Sequence, residues 1–290
     1  MDGRPGRRPR TAIAASLPYD PAARRVERAA ARRRRTRRQA AIATGSTVVV
    51  IGLLVGVIVT SKGWESVQEA FFSPEDFKDS FPAVAKGFWL DIKMFVIVEI
   101  AVLIVGLIVA LARLSRPPAL FPVRLLSIVY INVFRGVPTI LVIFLIGFGV
   151  PALELSGVPT DPIVLGCIAL GLCYGAYVAE VYRAGIESVH PSQRSAALAG
   201  GLTESQTMRH VVLPQAVRRV APPLLNDFIS LQKDVALVSI LGPLEAFRVA
   251  QIEASANFIY TPLVAAGLLY LCVTVPSALL LDHWERRRRR

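Results

Sequence analysis

Residues 87–112 read GFWLDIKMFVIVEIAVLIVGLIVALA, and Arg113 ends the run. From Met94 to Ala112 the only charge is Glu99. The apolar residues come as a block, without the 2-residue or 3.6-residue alternation that reserves one face for water. About 20 such residues, at about 1.5 Å rise each, cross the roughly 30 Å hydrocarbon core of a bilayer. Lipid is therefore the solvent this stretch suits.

Five more stretches qualify: residues 40–60, 127–150, 163–182, 224–241 and 262–281, of which 224–241 is the least apolar. Composition agrees. Of 290 residues 53% are hydrophobic and 19% charged, against about 25% charged in a soluble domain, and mean hydropathy is +0.51. A disordered regulator and an ordinary cytosolic enzyme are excluded. The expected fold is all-α: a polytopic membrane protein with six transmembrane helices.

The net charge of +12 is carried largely by the ends. Arginine crowds residues 1–38, and Arg286 to Arg290 close the chain. These runs flank apolar segments without aromatic interleaving, so they read as topology signals on the cytosolic side rather than as a nucleic-acid surface. An even number of spans puts both termini on that side. Arg113, Arg116 and Arg124, and then Arg183, Arg194, Arg209, Arg218 and Arg219, fall in connections that parity also places inside. Residues 61–86, 151–162 and 242–261 fall outside, and residues 61–86 hold more acids than lysines. Trp64, Val67, Phe71, Phe72 and Phe77 give that first segment an amphipathic run expected on the outer interface. Cys167, Cys173 and Cys272 sit in apolar runs and read as small buried hydrophobes.

The connection 183–221 is longer than a turn between helices needs and too short to hold a core. It predicts two short helices. Pro191-Ser192 opens the first, with Ser192 as N-cap, and Gly200-Gly201 stops it. Thr203-Glu204-Ser205-Gln206 forms a capping box that starts the second, which Pro214 kinks or ends. Its small side chains, Ser195, Ala196 and Ala197, suit close approach by another protein better than firm lipid binding.

Ala196-Ala197, then Gly201, then Val211-Val212-Leu213-Pro214 have the spacing of the cytoplasmic EAA loop. The chain thus resembles the permease subunits of binding-protein-dependent ABC importers. Glu180-Val181-Tyr182-Arg183-Ala184-Gly185-Ile186-Glu187-Ser188-Val189, Phe134-Arg135-Gly136-Val137-Pro138 and Asn226-Asp227 through Lys233-Asp234 are similar to the polar amino-acid uptake branch. The likeness covers about residues 87 to 284. It implies a five-span core at 87–284, with coupling loop 183–221. Outside it lie a tail (1–39), an extra N-terminal span (40–60), an external segment (61–86) and a basic cytosolic end (285–290).

The resemblance further implies that Gln193, Ser195, Ala196, Ala197, Gly201, Val211, Leu213 and Pro214 contact an ATPase. Partners would be two ATP-binding cassette subunits, a second permease subunit (a copy or a paralogue) and an external solute-binding protein, all at a bacterial plasma membrane. ATP and Mg would be bound on those partners. This sequence has no GxxxxGK[ST] loop, and no catalytic residue, cofactor, metal or nucleic acid is expected for the chain itself. Two departures stand out. Ser195 occupies the family's leading Glu, a carboxylate expected at the third helical position. Val235-Ala236 replace Thr-Ser after Lys233-Asp234.

Charges cost about 2.5–3.5 kcal/mol at mid-bilayer, so polar groups within spans face a partner or a wet cavity. Glu99, Asn132, Arg135, Glu180, Asn226, Asp227, Lys233 and Asp234 are the pathway candidates. Interhelical bonding explains them as well as a lining role does. For Arg135 the alternative is a topology anchor, although Gly136 and Pro138 beside it predict a local break in the third span. For Glu180 and Arg183 the blander reading is pairing with the loop. The competing functional class is an ion-coupled secondary transporter using Glu99, Asp227 and Asp234, which would call for inverted repeats that the sequence does not display. A membrane scaffold without transport is disfavoured by the polar spans.

Overall fold

A computed structural model describes residues 21–115 and 117–288. The first half of the predicted N-terminal tail (residues 1–20), Arg116 and the final two arginines lie outside the described residues. The chain divides into two compact units, one ending at Glu65 and the other beginning at Ser66.

The first unit is one helix, α1 (Pro21–Val59). Its apolar part, Arg38–Val59, is long enough to cross a bilayer and has none of its surface buried. Val49, Leu53 and Val57 are exposed on successive turns.

The boundary falls within α2 (Trp64–Phe71), and the second unit then contains α3 (Pro74–Leu114), α4 (Phe121–Gly136), α5 (Thr139–Ala152), α6 (Pro162–Glu187), α7 (Pro191–Ala199), α8 (Glu204–Thr207), α9 (Leu213–Asp234), α10 (Ala246–Asn257) and α11 (Thr261–Arg288). Among the described residues, five helices are long and apolar enough to span. A sixth span results if Glu204–Leu241 and Ala246–Asn257, bent by 53°, form one broken span.

α3 is the central post and packs on α4, α6, α9, α10 and α11. Although apolar all round, it buries one stripe: Val84, Gly87, Asp91, Met94, Val98, Val102, Gly106 and Ala110, spaced three or four apart. Ile97, Ile100, Ile104 and Ile108 face outward. The main core joins that stripe to Ala169, Leu170, Cys173 and Val178 of α6 and Leu231, Val235 and Val238 of α9 and the turn after it. At Gly106 a Cβ would lie 2.6 Å from Val178 Cγ1, so glycine sets how closely α3 and α6 approach.

Two sequence expectations need correction, and one expected break is present. α3 does not begin near residue 87 but at Pro74, capped by Ser73, whose hydroxyl accepts from Asp76 N. The sequence places residues 61–86 outside as an interfacial segment, and Glu75 and Asp76 in the first turn favour the helix there through its dipole. The third span is two helices, because Pro138 holds Val137 extended (φ −98°, ψ 135°), and the break falls where Gly136 and Pro138 predict it. The expected external loop 242–261 holds α10, which buries Ala246, Ala250 and Ala254 against the rest of the bundle. Gly242, at φ +105°, turns the chain into it.

Candidate functional site

Two groups of predicted residues sit at the end of the bundle where α6 and α9 approach α7. The first group is the coupling segment. Ser188 caps α6, and His190 caps α7: its Nδ1 accepts from Ser192 N at 3.2 Å. The N-cap is therefore His190, not Ser192. Pro191 marks the first helical residue, where its missing N–H costs nothing. Gln193 takes the third position and Ser195 the fifth, so the absence of Glu at Ser195 removes no capping box.

Gly200 N–H bonds Ala196 O (2.9 Å), and Gly201, at φ +89°, closes the turn. Thr203 and Gln206 form the expected capping box: Gln206 N donates to Thr203 Oγ1 (3.2 Å), and Thr203 N to Gln206 Oε1 (2.9 Å). Arg194 Nε reaches back to Glu204 Oε2 at 3.1 Å, tying α7 to α8. Pro214 does not end the second helix. Residues Met208–Val212 make a π-turn, and Pro214 then falls in the first turn of α9, which continues to Asp234.

Gln193, Ser195, Ala196, Gly201, Leu213 and Pro214 are exposed, while Ala197 and Val211 are half-buried. Beneath them Val189, Val212 and Ala216 form a small core with Ile186. The Arg219 guanidinium donates to Ser188 O. The exposed α7 itself packs on the Met208–Val212 turn and on α8, and that turn is joined through this small core to the end of α6 and the start of α9.

The second group centres on Glu180 of α6. Its carboxylate meets Arg113 of α3 at 2.6 Å, Arg135 of α4 at 4.0 Å, and Arg183 one turn along. Arg135 also lies over the Tyr177 ring, 5.5 Å from its centroid. Arg135, Tyr177, Glu180 and Asp227 line one cavity of about 370 Å³, and Asp227 Oδ2 has no hydrogen bond. Glu99 is within electrostatic reach of Asp227. The fold therefore gathers Glu99, Arg135, Glu180 and Asp227 from four helices. Asp234 lies apart, accepting from Tyr174 OH at 2.8 Å. Asn132, Asn226 and Lys233 are exposed on the surface of the second unit.

Sequence reasoning missed Tyr174 and Tyr177 as partners of these charges, the first through its hydroxyl and the second through its ring. The signal was three tyrosines, Tyr174, Tyr177 and Tyr182, in one span beside Glu180. It also missed buried Glu245 and Gln232 and half-buried Tyr270, which gather around Asp91 near the middle of α3.

Among the described residues, the second unit is a helical bundle with four helices long and apolar enough to span, five if the bent pair is one span, and with a short exposed helix between α6 and α9; this defines a multi-span membrane protein. A family profile described as "Binding-protein-dependent transport system inner membrane component" matches residues 102–290. The chain is 35% identical over 208 residues to a probable amino-acid permease, YxeN, of Bacillus subtilis (strain 168), covering 71% of this chain and 92% of that one. It is 33% identical to the arginine transport system permease ArtQ of the same organism, again covering 71% and 92%. A crystal structure of an amino acid ABC transporter with histidines superposes with a TM-score of 0.65 at 33% identity, covering 71% of this chain and 94% of that one. Inward-facing MetNI, a methionine ABC transporter, shares the fold with a TM-score of 0.52 at 20% identity. The chain belongs to the family of inner-membrane permease components of binding-protein-dependent transport systems.

Proposed function

We propose that this chain is the membrane subunit of an ATP-driven importer for polar amino acids or related small zwitterions. It sits in the bacterial plasma membrane with both termini in the cytosol. Two ATPase subunits, which hold ATP and Mg, dock on residues from Gln193 to Pro214. A second permease subunit completes the pathway, and an external binding protein delivers the solute.

The observation that carries this reading is the mounting of α7. An exposed helix without a buried residue of its own packs on the Met208–Val212 turn, and Val189, Val212 and Ala216 join that turn to the ends of α6 and α9. A push on α7 passes into two spans that carry Glu180 and Asp227, and a rigid-body tilt of packed helices is how such a push alternates access. The relatives' names, and the likeness to a transporter structure with histidines, support the amino-acid class.

The test is affinity purification of the tagged chain in mild detergent, followed by identification of the subunits that co-elute. Recovery of an ATP-binding cassette subunit with the parent but not with Gly201→Arg supports the assignment. Equal recovery with both, or recovery with neither, counts against docking at this segment.

A further inference from the structure

Near the middle of α3 two carboxyl groups are packed together. Asp91 is 1% exposed and Glu245 0%. Tyr270 OH of α11 lies 2.9 Å from Asp91 Oδ2 and 3.4 Å from Glu245 Oε2. Ala246 N donates to Asp91 Oδ2 (3.2 Å), while Phe247 N and Arg248 N donate to the two Glu245 oxygens (2.7 and 2.6 Å). Three of the four carboxyl oxygens thus have donors, and Asp91 Oδ1 has none.

A second orphan faces the same space. Gln232 of α9 is 7% exposed, and its Oε1 is also without a partner. Asp91 and Gln232 line one small cavity with Phe88, Phe95, Tyr270 and Thr274. Its volume of about 10 Å³ matches the minimum for one water-sized occupant. Two unpartnered acceptors whose residues line one cavity call for a donor or a cation.

No basic side chain neutralises the pair among the described residues. Lys93, also on α3, lies over the Trp89 ring. The Arg248 guanidinium of α10 bonds Gln251 Oε1 at 2.8 Å. On α9, Lys233 is exposed and Asp234 is taken by Tyr174. Two uncompensated carboxylates in an apolar interior would cost several kcal/mol each.

We propose that this cavity binds one monovalent positive charge between Asp91 Oδ1 and Gln232 Oε1, either a proton carried on Asp91 or a desolvated alkali ion. A hydrated divalent ion does not fit the space. The charge joins α3, α9 and α11, and it makes the seating of α10 on α3 conditional on occupancy. That seating is close: a Cβ on Gly87 would stand 2.7 Å from Ala246 N.

The test is thermal unfolding of the full chain in lipid nanodiscs, in two arms. One arm titrates pH between about 6 and 9 in choline chloride. The other exchanges choline for sodium or potassium at fixed pH and ionic strength. A midpoint that falls as pH rises identifies the proton, and one that rises with the alkali ion identifies the ion. Asp91→Asn places an amide nitrogen at the orphan oxygen, where it donates to Gln232 Oε1, so it should fold and lose the response. Gln232→Met should shift the response to lower pH or to higher ion concentration. A parent midpoint insensitive in both arms, an Asp91→Asn variant that responds like the parent or does not fold, or an unchanged response in Gln232→Met would overturn the proposal.

Discussion

Gly185 on α6 and Val220 on α9 sit so close that no Cβ fits between them. The crossing lies directly beneath the α7 mount, beside Ala216. Through it, displacement of one helix is felt by the other, since packed interiors do not deform continuously.

Gly185→Ala should therefore destabilise the bundle by about 1–3 kcal/mol through overpacking. Val220→Ala in the same chain should recover most of that loss, because it removes the opposing methyls. Thermal unfolding in detergent of the two single variants and the double variant measures the coupling. Additive losses would show that the two positions are not in contact.

Gly201 is a different case. Its φ of +89° is strained for other residues, but nothing lies within 4 Å of an added Cβ. Gly201→Ala should cost only about 1 kcal/mol, as backbone strain. Gly201→Arg should insert and fold much like Gly201→Ala, while losing uptake and ATPase stimulation. Normal uptake by the Arg variant would remove the docking role.

Glu180 balances Arg113, Arg135 and Arg183. Glu180→Gln should lower stability by about 1–3 kcal/mol, since charge-assisted hydrogen bonds are lost and the arginines remain. Glu180→Asp should retain part of the network. Unfolding midpoints compared at low and high salt give the measurement, and a Gln variant as stable as the parent would contradict it.

Thr203→Ala should cost about 0.5–2 kcal/mol locally by removing half of the capping box. Hydrogen exchange of the 203–206 amides should quicken, while exchange in α6 stays unchanged. Equal exchange in both chains would show that the cap contributes nothing.

Much of this architecture is visible in the sequence because membrane solvation is a demand on composition. Runs such as 94–112 announce spans, and Pro138 breaks one regardless of what packs around it. Turn chemistry at Gly200-Gly201 and Thr203-Gln206 is equally local. The helix α10 was hidden because its buried face is Ala246, Ala250 and Ala254, side chains too small to stand out as apolar. The His190 cap was hidden because Ser192 is the commoner capping residue, although Pro191 between them marks the true start. The Glu180 cluster takes one or more residues from each of α3, α4 and α6, and its Arg113 and Glu180 are 67 positions apart. No spacing rule links them; only the packing of α6 against α3 and α4 does.

The central proposal is that this chain moves solute only when driven from α7 by ATPase subunits. Uptake of labelled amino acids into proteoliposomes tests it most directly, with the chain reconstituted alone or together with its co-purified partners. The expected result is uptake only with the partners and ATP, and none from an ion gradient alone. Gradient-driven uptake by the isolated chain would contradict the account.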